Sequence, residues 1–193
     1  MPQRSNQHTD TGPAPARQGL APIRIRAASE ADWDRIAELT VAAYVDGGFL
    51  TAGDSYVAHL SDVATRARGS QLLVAEVSTA DGPAVAASVA VTDAGGPMAE
   101  VSLPGEMEFR MLAVAPEHQG RGIARAMLRH IIDLAESRPE IQALTLCSLT
   151  SMTAAHALYR SEGFHAMPER DFYLPEKSAR FPFFLRSTVQ DPA

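Results

Sequence analysis

The residues of this chain best suited to chemistry lie between Glu106 and Glu136. In Glu106–Val114 polar and apolar side chains alternate as on a β-strand, which puts Glu106, Glu108 and Arg110 on one face with Leu112 and Val114. Met107, Phe109, Met111 and Ala113 form the opposite face, apolar throughout and expected to be buried under helices. A face charged over one half and apolar over the other fits the wall of a pocket. Its plain alternative is an outer surface with a solvated Glu108–Arg110 pair.

After the strand, Ala115-Pro116-Glu117-His118 leads into Gln119-Gly120-Arg121-Gly122-Ile123-Ala124 and a long helical pattern. Two glycines at a helix start let a ligand approach the backbone closely and leave amide donors without intrahelical partners. With the positive end of the helix dipole, such a turn suits a phosphate or pyrophosphate. The dinucleotide fingerprint fails because Arg125 stands where Gly or Ala is wanted, and the Gly-Lys-Ser/Thr ending of a P-loop is absent. Along the helix, Arg121, Arg125, Arg129 and Asp133 recur at steps of four, opposite Ile123, Met127, Ile131 and Leu134. The later arginines read as a solvated face. Arg121 differs: it sits in the first turn, where a cation opposes the dipole and is best accommodated beside an anion.

These residues need a frame. With 193 residues, 46% hydrophobic and 21% charged, the composition is that of one ordinary globular domain. Residues 1–22 are polar and hold Pro2, Pro13 and Pro15; they bury too little to offset their chain entropy and read as a disordered tail without a secretory h-region. The domain is expected over 23–193. Ile23–Arg26 alternates as a strand, and Ser29 before Glu30-Ala31-Asp32 reads as the cap of a helix ended by Gly47-Gly48. A second helix is expected from about Asp54 to Arg68, then strands Leu72–Val77 and Val85–Val91 about an Asp81-Gly82-Pro83 turn, and a loop from Gly95 to about Gly105. Beyond the glycine turn come a helix to about Arg138, a strand Ala143–Leu149, a helix Met152–Glu162, and a closing strand pair of Phe164–Leu174 with Arg180–Thr188. Hairpins everywhere except one strand–helix–strand passage across 106–149 indicate an α/β fold: a mixed, mostly antiparallel sheet flanked by helices, with one parallel crossover.

The same composition excludes several classes. A net charge of −6 argues against nucleic acid, which needs a basic face. The longest nearly apolar stretch, Ala84–Val91, is far short of the roughly 18 residues a membrane span requires. The single cysteine, Cys147, forms no internal disulfide and reads as a core residue; the histidines lack ligand spacing, so no metal is expected. A reducing, cytoplasmic setting is the expectation.

One family joins these features. Gln119–Ala124 fits the pattern Arg/Gln-x-x-Gly-x-Gly/Ala and follows a strand ending Leu112-Ala113-Val114-Ala115-Pro116-Glu117. Further on, Ala155-His156-Ala157-Leu158-Tyr159-Arg160-Ser161-Glu162-Gly163-Phe164 matches an Ala-x-x-Leu-Tyr-x-x-x-Gly-Phe element. In this order and context, the chain resembles the GNAT superfamily of acyl-CoA N-acyltransferases from Ile23 to about Thr188.

The resemblance implies a sheet whose fourth and fifth strands splay around acetyl-CoA. The backbone of Leu112, Ala113 and Val114 would pair with the pantetheine arm, and the turn Gln119, Gly120, Arg121, Gly122, Ile123 and Ala124 would hold the pyrophosphate. Glu108 falls where the family often places a base acting through water, with Glu106 as its rival on the same face. An attacking amine must lose a proton, so a carboxylate there fits the task. Tyr159 matches the family tyrosine that protonates the departing thiolate; its plain alternative is packing. Where the family commonly has asparagine this chain has Met152, flanked by Ser151 and Thr153.

The implied activity is acetyl transfer from acetyl-CoA to a primary amine, on a small molecule or a peptide, by direct attack on the thioester. The alternatives are a CoA-binding sensor on the same fold and, well behind, another nucleotide-dependent enzyme using the same turn. The acceptor is expected near the Asp46–Asp54 connection with Gly47, Gly48 and Phe49, the 94–105 loop and the 174–181 loop, where acidic groups would favour a cation. Phe181, Phe183 and Phe184 suggest a closing strand that could pair across a homodimer.

Overall fold

The computed structural model describes residues 22–174 and 179–189, so the tail expected over 1–22 lies almost wholly outside the described residues. Strands β1 (Arg24–Ala27), β2 (Gln71–Thr79), β3 (Gly82–Asp93) and β4 (Glu106–Val114) pair antiparallel in chain order. Between β2 and β3 the chain reverses at Gly82, whose φ of 112° is open only to glycine at low cost. Helix α4 (Ile123–Glu136) then carries the chain across the sheet to β5 (Ala143–Cys147), which lies parallel to β4. This is the single crossover read from the sequence.

The remaining strands are β6 (His165–Ala166), β7 (Phe172–Leu174), β8 (Ala179–Phe181) and β9 (Phe183–Ser187). The closing segment does not form one hairpin. β9 inserts between β5 and β6, giving the order β1-β2-β3-β4-β5-β9-β6, while β7 and β8 pair separately as a two-stranded ribbon. Pro168 and Pro182 lack the amide a continuous ladder would need, and the strands break beside them. Phe183 and Phe184 are fully buried within the chain, which removes both rings from any pairing across a dimer.

Helices cover both faces. α4 and α5 (Thr153–Ser161) pack Ile123, Met127, Ile131 and Tyr159 against Leu73, Val89 and Phe109. On the other face lie α1 (Trp33–Val45), α2 (Tyr56–Ser61) and α3 (Val63–Gly69), where Ile36 and Val63 meet Leu72, Val74 and Ala90. One helix was expected over 54–68; the chain breaks it at Asp62 (φ −79°, ψ 71°), whose Oδ1 accepts the Thr65 amide at 3.0 Å and caps α3. Before α1, Asp32 closes a capping box with Ser29 and accepts both guanidinium nitrogens of Arg26 at 2.7 and 2.8 Å, joining β1 to the helix. Among the described residues, no helix is long and apolar enough to cross a membrane.

Candidate active site

The site begins with an irregularity in β4. Its register against β3 runs from Arg110↔Ala90 to Ala113↔Ser88, so β4 spends one residue more than its partner. The extra residue is taken up at Met111, whose φ of 54° is unusual for a side chain of this kind and costs about 1–2 kcal/mol. Its burial with Leu60 and Met98 offsets that cost.

The bulge shifts the strand's phase and corrects the face assignment. Met107 and Phe109 pack toward α4, as alternation requires, but beyond the bulge Leu112 and Val114 take over that side. Met111 and Ala113 turn instead toward α1 and α2, packing with Leu60 and Leu39 respectively. Glu108 and Arg110 therefore share their side of the sheet with Met111 and Ala113, not with Leu112 and Val114.

At the same place the sheet opens. β4 pairs with β5 only from Glu106↔Ala143 to Glu108↔Thr145. Beyond Glu108 the two strands part, and a cleft of about 650 Å³ runs between them, lined by Phe109–Leu112 on one side and Leu146–Leu149 on the other. The splay implied by the resemblance is present. Of the three acceptor segments expected, Leu50 and Asp54, Glu100, and Leu174, Ala179 and Phe181 reach the cleft; Gly47, Gly48 and Phe49 do not. Tyr44, Tyr56 and His59 also line it. Their helical spacing in the sequence is that of ordinary core residues, which is why no local signal marked them.

Glu108 lines this cleft and is only 1% exposed. Its Oε2 accepts the backbone amides of Glu100, Val101 and Ser102 at 2.9, 3.0 and 3.2 Å and the Ser102 hydroxyl at 3.1 Å. Its Oε1 lies 3.7 Å from Arg110 Nε. The solvated-pair alternative is thus excluded by burial. Its rival Glu106 is engaged elsewhere, accepting Arg170 in a bidentate pair at 2.6 and 2.8 Å, and does not line the cleft.

Tyr159 projects from α5 into the same cleft, edge-on to Phe109 with ring centroids 5.9 Å apart. Among the described residues its hydroxyl makes no hydrogen bond, and burial raises its pKa well above the phenol range, so it stays protonated. Cys147 is a cleft-wall residue, not the core residue expected; burial pushes its thiol up to about 12, which withholds the thiolate needed for nucleophilic attack. Met152 lines the cleft as well, its sulfur 3.8 Å from Ser148 Oγ.

The glycine turn forms as read. Gly120 and Gly122 sit at φ 72° and 74°, and a Cβ built on either meets nothing within 4 Å. Gly122 is the N-cap of α4 and supplies no side chain to its first-turn amides. Uncapped donors facing open space fit a pyrophosphate, so the residues present suit CoA. Arg121 Nη1 lies 3.0 Å from His118 Nδ1. Gln119 turns its side-chain amide back onto the Val114 carbonyl at 3.2 Å, bracing the turn against β4. Arg125 and Arg129 are not merely a solvated face: both ion-pair with Glu162 at the end of α5, Arg129 at 2.9 Å.

A strand pair that parts beside an uncapped, glycine-led helix is the α/β arrangement that the resemblance implies, and the comparisons with known proteins agree. The model of the acetyltransferase (GNAT) domain matches residues 68–166, and the chain belongs to this family. It is 41% identical over 69 residues to the [Ribosomal protein bS18]-alanine N-acetyltransferase of Escherichia coli strain K12, covering 36% of this chain and 46% of that protein. It is 36% identical over 90 residues to the N-alpha-acetyltransferase RimI of Mycobacterium tuberculosis, covering 47% and 54%. The chain thus spans about half the length of these curated relatives. In structure it is similar to the PaiA N-acetyltransferase of Thermoplasma acidophilum in complex with coenzyme A, with a TM-score of 0.63 and 14% identity over 86% of this chain and 99% of that one.

Proposed function

We propose that the protein transfers an acetyl group from acetyl-CoA to a primary amine by direct attack. One observation carries the reading: a carboxylate, Glu108, and a phenol, Tyr159, that makes no hydrogen bond among the described residues share the cleft that opens where β4 and β5 part. A protein that only sensed CoA would need neither group there. Family membership and the names of the relatives support the same activity.

Acetyl-CoA when bound supplies the activated acyl group as a thioester. First-turn amides of α4 and the Gly120–Gly122 backbone hold the pyrophosphate, with Arg121 as its cationic neighbour. The backbone of Leu112, Ala113 and Val114 along the open edge of β4 aligns the pantetheine arm and orients the carbonyl. Glu108 takes the amine proton through a water, using Oε1, because Oε2 is already occupied by four donors. The C–N bond forms, the C–S bond breaks, and the Tyr159 hydroxyl gives its proton to the thiolate. The cytoplasm is the proposed setting; it keeps the lone Cys147 reduced.

Thermal unfolding with acetyl-CoA, CoA, ATP and NAD tests the cofactor step. At about 100 times Kd a ligand stabilises by about 2.7 kcal/mol, a rise of roughly 5–10 °C for a chain of this size. CoA ligands alone should produce it. A shift with ATP or NAD and none with CoA overturns the reading, as does the absence of thiol release with every amine offered.

A further inference from the structure

The acceptor half of the cleft is built largely from segments outside the stretch that the family model matches. The family model matches residues 68–166, whereas Tyr44, Leu50 and Tyr56 come before that stretch and the β7–β8 ribbon after it. These two segments bring an apolar, largely aromatic lining. Phe172 and Phe181 pair across the ribbon with ring centroids 5.8 Å apart, and Leu174 joins them in the cleft, while Tyr173 is exposed outside it.

Charge narrows the choice further. Glu100 and Glu108 present carboxylates to the cleft, and the cation between them is already committed. Arg110 donates to the Met98 carbonyl at 3.0 Å and to Glu100 at 2.5 Å, and its Nε faces Glu108 at 3.7 Å. Burial and the nearby guanidiniums of Arg110 and Arg66 lower the pKa of His59 and disfavour its charged form. An acceptor that carried a carboxylate would therefore meet the carboxylates of Asp54, Glu100 and Glu108 and, among the described residues, no uncommitted cation on this lining.

We propose that the acceptor is an arylalkylamine: a primary amine on an aromatic body without a carboxylate, its amine directed to Glu108 and Glu100 and its ring held between Tyr56 and the Phe172–Phe181 pair. This rests on the acetyl-transfer reading above and adds the substrate class to it.

The test measures thiol release from acetyl-CoA by the full chain with 2-phenylethylamine, phenylalanine, spermidine and an alanine-initial peptide. The expected result is a kcat/KM for 2-phenylethylamine at least about tenfold above each of the other three, the scale set by burying one ring. Phe181→Ala should raise KM for 2-phenylethylamine by about tenfold, with kcat and the thermal shift by CoA unchanged; the CoA shift confirms that the variant is folded. Preference for spermidine, phenylalanine or the peptide overturns the acceptor class and leaves acetyl transfer standing. Silence with all four amines counts against acetyl transfer itself, and calorimetry on the CoA-bound protein then decides the pocket: 2-phenylethylamine binding no tighter than spermidine overturns it.

Discussion

At the scale of single residues, Glu108 has two duties that substitutions can separate. One oxygen holds the 100–102 backbone in place, and the other, 3.7 Å from Arg110 Nε, is the proposed base. In Glu108→Gln a carboxamide oxygen can still accept the three amides, but no base remains. Turnover should fall about 10²–10⁴-fold with the CoA-induced thermal shift retained. Glu108→Ala should lose the same activity and also about 1–3 kcal/mol of stability, because buried amides lose their acceptor. Equal melting points for the two variants would argue against the clamp. Tyr159→Phe keeps the ring among Phe109, Phe164 and Phe184 and removes a hydroxyl that makes no hydrogen bond among the described residues, so stability should hardly change. Its kcat should drop about 10²-fold if that hydroxyl protonates the thiolate, and an unchanged kcat in single-turnover measurements would remove Tyr159 from the mechanism.

At the scale of elements, the glycine turn and the bulge show what was legible and what was not. Gly120-x-Gly122 ahead of a helix is a local signal, and the chain realises it with both glycines at positive φ. Gly122→Ala meets no steric neighbour, so its cost is the backbone conformation alone, about 1–2 kcal/mol. If the turn relaxes to escape that conformation, the amide cradle is lost; the melting-point rise given by CoA should shrink in this variant while Arg129→Ala leaves it intact. The bounds of β4 could be read from alternation, but its phase could not. Alternation is counted along one strand, whereas the bulge at Met111 is defined by two residues opposing one on β3. For the same reason the helix expected over 54–68 concealed a break: Asp62 has no distinctive neighbour in sequence, and only its contact with the Thr65 amide shows the second start.

At the scale of the whole molecule, two buried groups set the response to acid in separate pH windows. His156 is packed 5.0 Å from Phe184 with Nε2 buried and unpartnered among the described residues, and burial lowers its pKa below 6.5. The unfolded chain binds this proton at a pH where the folded chain does not, so stability falls as pH drops below about 6.5. His156→Phe should flatten the dependence of melting point on pH between 7 and 5. Asp32 shifts in the opposite manner: hydrogen bonds from Arg26 and Ser29 hold its carboxyl far below the ordinary carboxylate value of about 3.9. Its contribution is complete above that value and is lost as pH falls further. Asp32→Asn should cost about 1.5–3 kcal/mol at pH 7, and the cost should shrink progressively only as pH falls below about 4, read by denaturant unfolding along a series from pH 7 downward.

Sequence by itself determined the elements and their chemistry of short range: the strand Glu106–Val114, the glycine-led helix after it, the Leu-Tyr and Gly-Phe positions that place Tyr159, and through them the family. These depend on residues within a turn or two of each other, where propensity, capping and dipole act. Tertiary structure alone decided which oxygen of Glu108 holds the 100–102 backbone, that Arg125 and Arg129 close onto Glu162, that Arg110 is spent on Glu100 and Met98, and that aromatic residues from α1, α2 and the β7–β8 ribbon share one cleft. Each of those depends on segments distant in the chain meeting at a particular angle. The angle is set where β4 and β5 stop pairing at Glu108 and Thr145, and pairing between strands has no trace in the composition of either one.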